Sequence, residues 1–148
     1  MVKTLEEMIS YYQPAVDKEA TIAKVKRFWQ VLFPELLDQA CISKSDFVLL
    51  GSQGVSEVAR QCRNGKSLEA LNTLYGVSHA MLKTDAKNLI YKRFVNHEPI
   101  ESFMFSNEIS KGKYYVLERS AFYDFANRLR LEKNCPDLIV YKPKKSEK

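Results

Sequence analysis

Ser67-Leu-Glu-Ala-Leu-Asn-Thr-Leu-Tyr-Gly-Val-Ser-His-Ala-Met-Leu-Lys83 is the stretch whose reading decides the fold. Ser67 precedes an amphipathic run, Leu68, Leu71, Leu74 and Tyr75, and the run stops at Gly76, a residue suited to the positive φ of a helix end. After Val77, Ser78 is a good N-cap for a following helix. The pattern predicts helix, tight glycine turn, helix: the spacing of a helix-turn-helix. On a wheel of about 100° per residue, Leu82, Ala86, Leu89 and Ile90 share the core-facing arc of the second helix. Lys83, Thr84, Lys87, Asn88 and Tyr91 share the opposite arc and are the candidates to read DNA.

Working outward, Ser102-Phe-Met-Phe-Ser and Tyr114-Tyr-Val-Leu-Glu are β-prone runs on either side of Asn107-Glu-Ile-Ser-Lys-Gly-Lys113. They predict a hairpin, or wing, with Lys111 and Lys113 at a basic tip that can reach phosphates. Ser120 then caps a last helix, with Phe122, Phe125, Ala126 and Leu129 at core spacing.

The same order of segments occurs earlier in the chain. Lys3-Thr-Leu-Glu-Glu-Met-Ile-Ser-Tyr-Tyr12 aligns with the segment from Lys66, Lys26-Arg27-Phe28 with Lys92-Arg93-Phe94, and Ile42-Ser43-Lys44 with Ile109-Ser110-Lys111. At this last offset of 67, Phe47-Val-Leu-Leu faces Tyr114-Tyr-Val-Leu, and Val55, Val58, Ala59 and Cys62 face Phe122, Phe125, Ala126 and Leu129. Arg63-Asn64-Gly65 supplies a turn between the copies. The expected architecture is therefore α+β: two tandem winged helix-turn-helix units, residues 1–65 and 66–131, packed as one compact chain, followed by a strand and basic tail over 132–148.

The first copy is expected to be the weaker DNA contact, because Asp46 stands where Lys113 stands in the second and Gln13-Pro14 replaces Gly76-Val77. Its long helix turns Ile22, Val25, Trp29, Leu32, Phe33 and Leu36 inward and ends near Pro34 or shortly beyond. Lys24 and Arg27 lie outward, and with Lys44 complete the candidate contacts. Phe28 and Val31 also face out on this reading, which suits a packing surface as well as a groove. The strand is Leu138-Ile-Val-Tyr141, ahead of Lys142-Pro-Lys-Lys-Ser-Glu-Lys148.

The order Gly76-Val77-Ser78, wing from Lys111 to Leu117, helix from Ser120 resembles the excisionase and MerR-like winged-helix families. The tandem copy, the length and the lysine-ended tail resemble the TraN type of small cytosolic DNA-binding protein from Gram-positive conjugative plasmids. That resemblance implies binding to double-stranded DNA in plasmid conjugative transfer or its regulation, with other conjugation proteins as further partners.

The net charge is +5, which permits a polyanionic partner. The surplus is uneven: residues 1–65 carry eight Lys/Arg against eight Asp/Glu, residues 66–131 ten against seven, and residues 132–148 five against three. No apolar run reaches the roughly 18 residues of a membrane span and the start lacks a secretory h-region, so a cytoplasmic chain without a membrane partner is expected. Cys41, Cys62 and Cys135 are widely spaced and support neither a disulfide framework nor a zinc site. His79 and His97 are the only histidines, and Ser78 and His79, as helix neighbours, point apart. No phosphate-cradling glycine loop is present. The chain is read as a non-enzyme with no catalytic residue, metal, cofactor or small-molecule substrate. The competing expectation is a protein-interaction adaptor within a larger assembly.

Overall fold

The computed structural model describes residues 15–56 and 67–143. Every regular element in them is helical: α1 (Lys18–Arg27), a π-helical turn (Phe28–Leu32), α2 (Phe33–Ala40), α3 (Lys44–Gln53), α4 (Ser67–Lys83), α5 (Lys87–Ile90), a second π-helical turn (Tyr91–Val95), α6 (Ile100–Asn107) and α7 (Lys111–Leu129). The one β contact among the described residues is an isolated antiparallel bridge between Val16 and Tyr141, where Asp17 N donates to Val140 O (2.8 Å) and Lys142 N to Ala15 O (2.8 Å). The expected α+β pair of winged helix-turn-helix units is thereby overturned, and Leu138–Tyr141 forms no strand beyond that bridge.

Two contacts explain why α4 runs unbroken through Gly76. A Cβ on Gly76 would overlap Cys135 Sγ and lie 3.1 Å from Glu132 Cβ, so the missing side chain admits the 132–135 segment against the helix. Gly76 has no positive φ. On another side α3 crosses α4 so closely that a Cβ on Gly51 would stand 2.5 Å from Ser78 Oγ and 2.9 Å from the Ser78 carbonyl carbon. Ser78, expected as an N-cap, is fully buried in that crossing, and its hydroxyl accepts from Gly51 N at 3.1 Å. Burial of Leu71, Leu74, Val77, Ala80 and Met81 around both residues offsets the roughly 1 kcal/mol that glycine costs a helix interior.

The expected wing is also helical. Ile100, Phe103 and Met104 recur at three- and four-residue spacing in α6, and Tyr114, Glu118, Ala121, Phe122, Phe125, Ala126 and Leu129 form one buried stripe along α7. Phe105, which a strand would turn to the same side as Phe103, is instead 87% exposed. Ser120 is an exposed residue within α7 rather than a cap.

The first long helix continues past Pro34 to Ala40, with a change of register at its π turn, where Phe33 N donates to Phe28 O. The wider turn leaves Leu32 outward at 45% exposure, while Phe28, whose N–H still reaches Lys24 O on the α ladder, is buried at 1%; both are the reverse of the wheel reading. Pro34 follows directly and has no N–H with which to resume the α ladder. Phe28, Trp29, Phe33, Phe47 and Phe125 then form an aromatic cluster, with Trp29 5.1 Å from Phe125 and Phe33 4.8 Å from Phe47, centroid to centroid. α4 packs against α2, α3 and α7, so buried residues from Ile22 to Ile139 form one cluster. The repeat segment Lys3–Tyr12, Gln13-Pro14, the Arg63–Gly65 junction, Val58, Ala59, Cys62 and the last residues of the basic tail lie outside the described residues.

Because the Cys135 thiol is what a methyl at residue 76 meets first, Gly76→Ala is expected to cost about 1–3 kcal/mol in urea denaturation. Adding Cys135→Ala should recover part of that cost. Strictly additive effects in the double variant would contradict this packing.

Candidate nucleic-acid interface

Two helix ends in the chain are built alike. α6 closes on Glu108 in the left-handed region (φ 53°, ψ 47°), where Ile109 N donates to Met104 O (3.1 Å) and Glu108 N to Phe105 O (3.3 Å). Ser110 then caps α7, its hydroxyl accepting from Lys113 N at 3.2 Å. At a constant offset of 67, α2 closes on Cys41 (φ 57°, ψ 42°), with Ile42 N donating to Leu37 O (3.3 Å) and Cys41 N to Asp38 O (3.2 Å). Ser43 caps α3 by accepting from Asp46 N at 3.2 Å. Each pair of helices is thus joined by a three-residue turn, Cys41-Ile42-Ser43 or Glu108-Ile109-Ser110, and clasped by an aromatic pair, Phe33 on Phe47 or Phe103 on Tyr114. Both are pairs of helices joined by a short capped turn, without wings. The Ile-Ser-Lys tripeptides, expected as parts of hairpins, lie in the turns themselves.

α7 is held in orientation from its buried side. Arg93 Nε donates to the Tyr114 hydroxyl (2.7 Å), Arg93 Nη1 donates to Glu98 O (2.6 Å), and the guanidinium lies over the Phe94 and Tyr114 rings. Burial holds the Tyr114 hydroxyl protonated, its pKa pushed far up, with Glu118 at the same hydroxyl adding to the shift against Arg93. Further along, Arg119 makes a paired ion contact with Glu19 of α1, and the guanidinium lowers the Glu19 pKa. The opposite side of α7 is left open: Lys111, Gly112, Lys113, Tyr115 and Val116 are all exposed, while the nearest acid of that helix, Glu118, is turned inward.

The candidates on the expected second helix do not lie on one continuous helix. α4 ends at Lys83 and a non-helical break at Thr84–Ala86 precedes α5, so Lys83 and Lys87 stand on different helices. Thr84 is buried and its hydroxyl donates to Met81 O at 2.7 Å, which removes it from any outward contact. Lys87 and Asn88 are exposed, and Tyr91 is half-buried. Lys24 and Arg27 are exposed on α1, where Lys24 Nζ donates to Asp137 O (3.3 Å). Lys111 and Lys113 fall on one exposed first turn, and Lys44 occupies the corresponding first position of α3. Arg93, the residue that orients α7, is visible in sequence only as part of the repeated Lys-Arg-Phe.

Elsewhere, His79 pairs with Glu132 and stacks on Tyr75. Burial, with Glu132 beside it, pushes the Cys135 thiol up to about 11, consistent with its donating to Thr73 O. Among the described residues no group of three or more His, Cys, Asp or Glu is placed to hold a metal ion, and no helix is long and apolar enough to cross a membrane. In comparisons with known proteins, no family model, curated protein or solved structure matches the chain.

Removing either cap leaves backbone donors at the start of its helix unsatisfied. Ser110→Ala and Ser43→Ala should therefore each lower stability by about 1 kcal/mol in chemical denaturation. Ser120→Ala, in the middle of α7, should leave stability unchanged or raise it slightly. A Ser120→Ala cost as large as that of Ser110→Ala would contradict the cap assignment.

Proposed function

We propose that this chain binds double-stranded DNA through the helix-turn-helix formed by α6 and α7, with the exposed first turns of α7 entering the major groove. The observation that carries the reading is the turn Glu108-Ile109-Ser110, which delivers Lys111 and Lys113 to the exposed start of a helix whose other side is anchored in the core. In helix-turn-helix proteins the second helix lies in the major groove and its N-terminal residues meet base edges, while lysines neutralise the flanking phosphates. The positive end of the helix dipole acts in the same direction.

The first helix-turn-helix is the poorer candidate. Its Asp46 occupies the place of Lys113 and is committed to a capping box, accepting from Ser43 N at 3.4 Å. A carboxylate there opposes phosphate where a lysine attracts it. α3 therefore serves mainly to pack the core, through Phe47 and Leu50. A role in plasmid conjugative transfer, with other conjugation proteins as partners, is a proposal that rests on sequence resemblance alone.

A second reading, a protein-binding adaptor, draws on Phe105, 87% exposed beside a shallow groove lined also by Glu101, Met104, Ser106, Glu108 and Ile109. Such a surface favours an apolar partner over a polyanion. Salt dependence separates the two.

Fluorescence anisotropy with a random duplex should show affinity falling steeply between roughly 50 and 200 mM salt. Lys111→Glu with Lys113→Glu should lower affinity at least about tenfold on every sequence and flatten the salt slope by about 0.9 for each phosphate no longer neutralised. Lys83→Glu with Lys87→Glu should have the smaller effect. Salt-independent binding, or equal effects from the two pairs, would count against this interface.

A further inference from the structure

Gly112 has no structural explanation among the described residues. It does not adopt a positive φ, and a Cβ built on it meets nothing within 4 Å, unlike the crowded positions of Gly51 and Gly76. Glycine is among the poorest helix formers, so an alanine here would favour α7 at no steric cost. What a glycine still provides on an open helix face is close approach of the backbone to something outside the chain.

The surroundings of Gly112 specify what approaches. Val116 lies one turn further on the same face and is 66% exposed, with Tyr115 beside it at 40%. Lys111 and Lys113 flank the glycine; within α7 no exposed acid falls between Lys111 and Val116 and Glu118 is buried, the exposed Glu108 lying in the preceding turn. The patch is thus an apolar centre between two cations. That combination matches a major groove, in which phosphates border the base edges and the 5-methyl group of thymine is the apolar feature presented there.

We infer that α7 seats against thymine: Gly112 lets the helix backbone close on the floor of the major groove, and Val116, supported by Tyr115, contacts a thymine 5-methyl group. This inference rests on the duplex-binding reading above. It adds that part of the sequence preference is apolar and is carried by residues other than Lys83, Thr84, Lys87, Asn88 and Tyr91, to which a helical wheel assigns readout.

The test uses the full chain. Duplexes are selected from a random-sequence pool, and the selected duplex is then synthesised with thymine or with uracil at each position, which removes only the methyl group. Uracil at the contacted position should weaken binding about fourfold, the worth of one buried methyl. Val116→Ala should weaken binding to the thymine duplex and bind both duplexes equally. Gly112→Ala should unfold at the same or a higher temperature, followed by circular dichroism, yet bind any duplex about tenfold or more weakly. Equal wild-type affinity for thymine and uracil duplexes at every position, or undiminished binding by Gly112→Ala, would overturn the inference while leaving duplex binding intact. Absence of binding to any duplex would overturn the duplex reading and this inference with it.

Discussion

The structure depends on how closely α4 can be approached. On one side Gly51 of α3 comes against Ser78, and on another the thiol of Cys135 comes against Gly76. Neither approach leaves room for a Cβ, and each requires the helix to present a continuous regular surface. A break at Gly76 would separate Leu71 and Leu74 from Val77, Ala80 and Met81, which together bury the middle of the molecule. Since α4 also packs against α2 and α7, its continuity sets how the two helix-turn-helix elements are carried.

The two π turns act on the same core. Each adds a residue to one helical turn, and the two turns touch. Phe28, which opens the first, is buried against Trp29 and Phe125; Phe94, within the second, is buried against Phe122 at 4.9 Å. Both phenylalanines belong to a Lys-Arg-Phe tripeptide. In the second, the arginine next to the buried ring is the one that reaches Tyr114 and fixes the rotation of α7. Aromatic packing and the orientation of the proposed reading helix are therefore coupled through Arg93 and Phe94.

Two turns with the same hydrogen bonds carry unlike electrostatics. A serine cap needs only a hydroxyl and a free N–H, so Ser43 and Ser110 perform alike whatever follows. The third residue after each cap is where they diverge: Asp46 folds back on its own turn, whereas Lys113 projects from it. The asymmetry favours α7 as the proposed nucleic-acid surface and leaves α3 to the core. The same surface exposes Val116 and Tyr115, an arrangement that suits a ligand with both phosphates and methyl groups.

Much of the helical content is written locally. The stripe from Phe122 to Leu129, the matching Ile-Ser-Lys segments and the lysines beside them are legible from spacing and side-chain chemistry, whereas Ser43 and Ser110 read as parts of hairpins and proved to be helix caps. Three features come only with the tertiary structure. Gly76 reads as a turn because the absence of a Cβ permits a positive φ, but the same absence permits a close neighbour, and that neighbour, Cys135, is remote in sequence. Ser78 reads as a cap because its hydroxyl can accept a backbone N–H; the donor is Gly51, on another helix. A wheel places Leu32 inward because it assumes uniform turns, whereas a π turn shifts the residues after its start around the axis and leaves Leu32 exposed. Local sequence determined the apolar stripe of the last helix and the matching Ile-Ser-Lys segments; contacts between distant residues decided that the expected wing is helical, that α4 is continuous and which face of each helix is left free.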